Sequence, residues 1–161
     1  MSHVHEEQAA DGLWSRFRDI AMALRRLQDF NFSAEGGEGR FTDRWLDGLV
    51  RDAGALSGVG RELVLRAFRV GADAVNFEIL TRLREEEGVA LSHLARATGL
   101  PQFTVSERVN DLVQVGLAVR VLEQDAVRAT ALTRGFLGLV GGIERRLAAM
   151  IRERLPGLIA P

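Results

Sequence analysis

The chain has no cysteine, no lysine and only three prolines. Without cysteine, disulfides, zinc–thiolate centres and thiol-based redox or metal sensing are excluded. Three histidines are too few to rebuild a metal sensor in their place. No run approaches the roughly 18 apolar residues that span a bilayer, so no membrane protein is expected. The opening MSHVHEEQAADG lacks a basic n-region and an apolar h-region, so no secretion signal is read there. The expected compartment is therefore the cytoplasm. All 21 basic residues are arginine, which reads as the codon bias of a GC-rich genome. No Ser-His-Asp set, paired carboxylates or metal-ligand cluster is visible, so neither an enzyme nor a cofactor is expected.

What is present fits a cytosolic globular chain. Its 161 residues suffice for one core, or for one compact domain with helices attached. The net charge is -1, so the total announces no nucleic-acid partner. Residues 74 to 133 carry six arginines and eight acids, a net of -2, whereas residues 134 to 161 carry five arginines and two acids. DNA-binding domains are usually basic, and the middle segment is not.

Periodicity divides the chain into helices. The first dozen residues read as a frayed terminus. Leu13, Phe17, Ile20, Leu24 and Leu27 form one stripe, predicting a helix to about Phe30. NFSAEGGEG then reads as a linker. A second helix is expected over Thr42 to Ala53, with Thr42 as N-cap. Gly54, Gly58 and Gly60 predict a break before a third helix, Arg61 to Val70.

Downstream, helices are expected over 74–86, 91–98 and 102–115, with a tight Gly99-Leu100-Pro101 turn between the last two. Gly116 stands where a left-handed C-cap residue is wanted. VRVLE and VRATA then read as a short hairpin. A last helix, Arg134 to about Leu155, is capped by Thr133 and closed by Pro156. Within it GLVGG (138–142) is no phosphate loop, but its small residues let another helix approach closely. His3 and His5 read as inert, His93 as exposed, and the EEE and Arg145-Arg146 clusters as surface charge.

Three helices, a glycine turn and a hairpin make the layout of a winged helix-turn-helix. The run LSHLARATGLPQFTVSERVNDLVQVGLAVRV resembles the core of the MarR, ArsR and HxlR families of bacterial regulators. Leu94-Ala95, Gly99-Leu100, Val105-Ser106, Leu112 and Gly116-Leu117 carry the likeness. ALTRGFLGL is similar to the segment leaving the wing in MarR-like and HxlR-like proteins, and RAFRVGADAVNFEIL to the first helix of HxlR-like and ArsR-like ones. The likeness covers about residues 63 to 140. It implies a mainly α fold with a small β-hairpin, a winged helix-turn-helix with additional N- and C-terminal helices. The expected organisation is a helical extension (1–60), the winged domain (61–133) and a C-terminal helix (134–161).

The same resemblance implies a transcriptional regulator whose helix 102–115 reads double-stranded DNA. Its DNA face would be Gln102, Phe103, Thr104, Ser106 and Arg108, with Arg120 and Arg128 on the wing. Gln102 suits adenine and Arg108 guanine, Thr104 and Ser106 suit phosphates, and Phe103 suits a thymine methyl group. Arg120 and Arg128 would neutralise phosphates. Departures are the short wing and the acids Glu107 and Asp111 beside Arg108.

Plainer readings stay open: the polar face of this helix as solvated surface, and Phe103 as core. The outer helices either pack on their own core or pair across a two-fold axis, a homodimer on a pseudo-palindromic operator. Trp14, Phe17, Phe41 and Trp45 either belong to the core or line a pocket for a small-molecule effector. A winged-helix module that binds protein instead of DNA is the alternative function.

Overall fold

The computed structural model describes residues 2–32 and 41–159, with side chains described over 3–23 and 46–155. The fold is mainly helical with one small sheet. Its helices are α1 (Ser2–Phe32), α2 (Phe41–Arg51), α3 (Ala53–Gly71), α4 (Ala74–Arg82), α5 (Leu91–Thr98), α6 (Gln102–Gln114) and α7 (Ala131–Ile159). Three antiparallel strands, β1 (Val89–Ala90), β2 (Ala118–Val121) and β3 (Ala126–Ala129), make a sheet of order β1-β3-β2.

The segment from α4 to β3 follows local chemistry closely. Asp73 caps α4, its Oδ1 accepting from the backbone N–H groups of Val75 and Asn76 at 3.1 and 3.2 Å. The cap stops α3 and α4 merging and turns the chain between them. Gly99 ends α5 at φ 69°, and Gly116 follows α6 at φ 83°. Both lie in the left-handed region that glycine enters without steric cost. Leu94, Val105, Val109 and Leu112 face inward from α5 and α6 and meet Ile79 and Leu80 of α4, all fully buried. That is one continuous core.

The sheet closes one side of this core. Arg120 faces Val127 and Val121 faces Ala126 across β2 and β3. A single 3-10 turn, Leu122–Gln124, and a left-handed Asp125 (φ 44°) join them. The third strand was not expected. Val89 and Ala90 pair with Val127 and Ala126, so the residues that start α5 also anchor it to the hairpin. Two residues are too short to show alternation in sequence.

Several expectations fail at the ends of elements. α1 begins at Ser2, so residues 2–12 are helix and not a frayed end. α3 runs unbroken through Gly54, Gly58 and Gly60, because Asp52 caps it through Gly54 and Ala55 and Ala67 and Gly71 are buried on the core. The boundary expected at residue 60 falls within this helix. α4 stops at Arg82, four residues early, since Leu83 turns extended and buries its side chain. α7 starts at Ala131 and continues past Pro156 to Ile159. Thr133 therefore lies inside its first turn, where its hydroxyl donates to the Leu117 carbonyl.

The two long helices cross antiparallel at very close range. Ala9 lies against Gly135, His5 against Gly138 and Leu132 against Gly12. Glycine removes the Cβ that would hold the axes apart. Within GLVGG, Gly138 admits a helix, and that helix is the chain's own α1. His5 accordingly does not sit on a frayed end, since its ring packs into this crossing. Phe136 of α7, meanwhile, anchors the core edge-on to Phe68 (centroids 5.1 Å apart) and Phe77 (6.2 Å).

Candidate nucleic-acid interface

α6 is amphipathic, and its buried stripe defines the opposite, open face. With Val105, Val109 and Leu112 inward, the residues at Phe103, Glu107, Asn110 and Gln114 share the solvent side, with Asp111 beside them. Phe103 is 73% exposed, so it is not a core residue. No side chain caps the helix, whose N-cap is Pro101, and its first-turn N–H groups stay open to an acceptor. Gln102 stands exposed on that first turn.

The remaining expected contacts are divided between the flanks of α6. Thr104 and Arg108 lie half-buried on the side toward α4. There the Arg108 guanidinium sits 3.5 Å from the Asp73 carboxylate, pinning α6 against the cap of α4. Ser106 lies half-buried on the other flank and accepts a 2.5 Å hydrogen bond from Arg120 Nη2. Arg120 therefore bridges β2 to α6, and its Nε finds no acceptor among the described residues. Arg128 on β3 is exposed. Leu122, at the tip of the hairpin, is 82% exposed.

The structure thus brings Gln102 and Phe103 together on an open surface and draws Arg108 and Arg120 into contacts within the chain. Reasoning from sequence missed Asn110 and Gln114, which lie exposed further along the open face. The signal was available: spacing of four, three and four from Phe103, opposite the Val105-Val109-Leu112 stripe.

No family model, curated protein or solved structure matches this chain.

The aromatic residues expected to line a pocket are only partly placed. Trp14 and Phe17 stack with centroids 6.0 Å apart on α1. They line an apolar groove of about 370 Å³ with Leu13 of α1 and Leu56, Leu63 and Val64 of α3. The groove lies between two outer helices, α1 and α3. Phe41 and Trp45 fall in α2, but their side chains lie outside the described residues. One residue before Phe17, Arg16 donates through Nη2 to the Gln114 carbonyl at the C-terminal end of α6. The groove and α6 are thereby one contact apart. Among the described residues no cluster could hold a metal ion, and no helix is long and apolar enough to cross a membrane.

Proposed function

We propose that residues 74–133 form a winged helix-turn-helix and that the protein is a cytoplasmic DNA-binding transcriptional regulator without enzymatic activity. One observation carries this reading: α6 offers an uncapped N-terminal turn with Gln102 and Phe103 open to solvent, braced by α4, α5 and the sheet. An open helix N-terminus accepts phosphate oxygens through its backbone N–H groups. In the major groove Gln102 would pair with adenine, Phe103 would meet thymine methyl groups, and Asn110 would reach a further base edge. The order α4-β1-α5-α6-β2-β3, with β1 on the hairpin, also supports it, as does the resemblance to MarR-like, ArsR-like and HxlR-like sequences. Two copies related by a two-fold axis would set their α6 helices about one DNA turn apart, roughly 34 Å. The groove beneath Trp14 and Phe17 is of a size for a small apolar effector.

A second reading is favoured by a specific feature. Glu107 and Asp111 on α6, with the exposed Phe103, form an acidic and apolar surface suited to a basic protein partner. Retention of genomic DNA fragments at low and moderate salt decides between them. The DNA reading expects a pseudo-palindromic motif, with binding weakened by about 1–3 kcal/mol in Gln102→Ala. Among the described residues Arg128 of β3 and Arg96 of α5 are exposed and form no ion pair; with both on phosphates in each copy, about four phosphates would be neutralised per dimer. The slope of log affinity against log salt should then be about -3.6, falling by roughly 1.8 in Arg128→Ala. Failure to enrich any motif at either salt favours the protein partner.

A further inference from the structure

α7 carries one apolar stripe along its whole length, but its own chain covers only the first half. Leu132, Phe136 and Val140 lie on the core. Ile143, Leu147, Met150, Ile151 and Leu155 continue the same face at helical spacing, and every residue from 143 to 155 is exposed. Ile143 is 67% and Leu147 54% exposed. The N-terminal end of α1 reaches only as far as the turn around Ile143 and Arg146. Thirteen residues, about 20 Å of helix, are exposed, and the last nine of them, 147–155, lie beyond that turn.

The sequence of this projection complements itself. Run antiparallel against a second copy, Leu147 meets the partner's Met150 and Ile143 meets the methylenes of the partner's Arg154. In that register the flanking Arg146 stands opposite the partner's Glu153, and the two-fold axis repeats the pair. Neither Arg146 nor Glu153 has an ion pair within its own chain among the described residues. A parallel arrangement has no such pairing, since position 146 would then face the partner's Ile151. We propose that residues 143–155 of α7 form an antiparallel two-fold pair with the same segment of a second copy of this chain. The pair rests on the dimer expected of the regulator but does not need DNA to form.

Sedimentation equilibrium of the full chain without DNA should give a dimer. Leu147→Asp should give a monomer that still unfolds cooperatively, because position 147 lies off the core, with a melting temperature that no longer rises with protein concentration. Arg146→Glu should weaken the dimer by about fivefold, and Arg146→Glu with Glu153→Arg should restore it. Because the chain has no cysteine of its own, single cysteines report direction. Met150→Cys sits near the two-fold axis and should be joined by a short bis-maleimide, whereas Ile143→Cys, roughly 16 Å from its mate along the axis, should not. A monomeric wild type, a Leu147→Asp dimer, or linkage at 143 as efficient as at 150 would overturn the pairing. A dimer that meets these criteria but retains no DNA removes the DNA reading alone. A monomeric wild type that still binds a half-site leaves the DNA reading standing by itself.

Discussion

Gly135→Ala should destabilise the protein although it replaces glycine by the best helix former. In an isolated helix the exchange gains about 1 kcal/mol. Here the added Cβ would stand 2.5 Å from the Ala9 backbone nitrogen, 2.7 Å from the His5 carbonyl oxygen and 2.8 Å from Ala9 Cα. All three are backbone atoms of α1, so no side-chain rotation relieves the clash. The helices must separate by about an ångström along the crossing, loosening the contact of α1 with the core beyond. Overpacking of this kind costs about 1–3 kcal/mol, and immovable neighbours place it at the upper end. The net loss is about 2 kcal/mol, which lowers the melting temperature by roughly 4–8 °C for a chain of this size. Gly58→Ala supplies the control. It lies inside α3 with nothing within 4 Å of the built Cβ, so the propensity term acts alone and should raise the melting temperature by roughly 1–4 °C. Thermal unfolding followed by far-UV circular dichroism reads both. If Gly135→Ala melts with or above Gly58→Ala, the close crossing of α1 and α7 is not how these helices pack.

Two further outcomes are expected. Asn76 is buried and its Nδ2 donates to the Val70 carbonyl at 2.9 Å, closing the end of α3 onto α4; Asn76→Ala leaves that oxygen unpaired and should cost about 1–3 kcal/mol in urea unfolding. Arg108→Ala removes a partly exposed pair with Asp73, so stability should change by less than about 1 kcal/mol, and operator binding should fall less than in Gln102→Ala. Collapse of binding in Arg108→Ala would mean that the guanidinium leaves Asp73 to reach the DNA.

What could be read from sequence and what could not separate along a physical line. α5, its glycine turn, α6, Gly116 and the hairpin are written in local chemistry: a 3.6-residue stripe, two glycines at positive φ, and β-branched runs around a turn. Such signals need no distant partner, and the bounds of α5 agree residue for residue with those expected. Exposure of Gln102 follows from the same periodicity. The surface chemistry of α6 does not. Whether an arginine points outward or folds back depends on what the tertiary structure places beside it: Asp73, 35 residues upstream of Arg108, and Ser106, facing Arg120 from the neighbouring helix.

Glycines show the division most plainly. In sequence, Gly54, Gly58 and Gly60 look like a break, Gly12 falls in an apparent frayed end, and the small residues from Gly138 admit a helix that a local reading cannot name. A cap at Asp52 and burial of Ala67 and Gly71 outweigh the first three, while Gly12, Gly135 and Gly138 are where α1 and α7 touch. The sequence by itself determined the amphipathic faces, the turn and the hairpin, whose energies arise within a few residues. Only the tertiary structure decided that β1 exists, that α1 begins at Ser2 against α7, and that Arg108 and Arg120 are engaged internally. Each of these depends on contacts between residues far apart in the chain, and those become favourable only once the rest of the fold has brought them together.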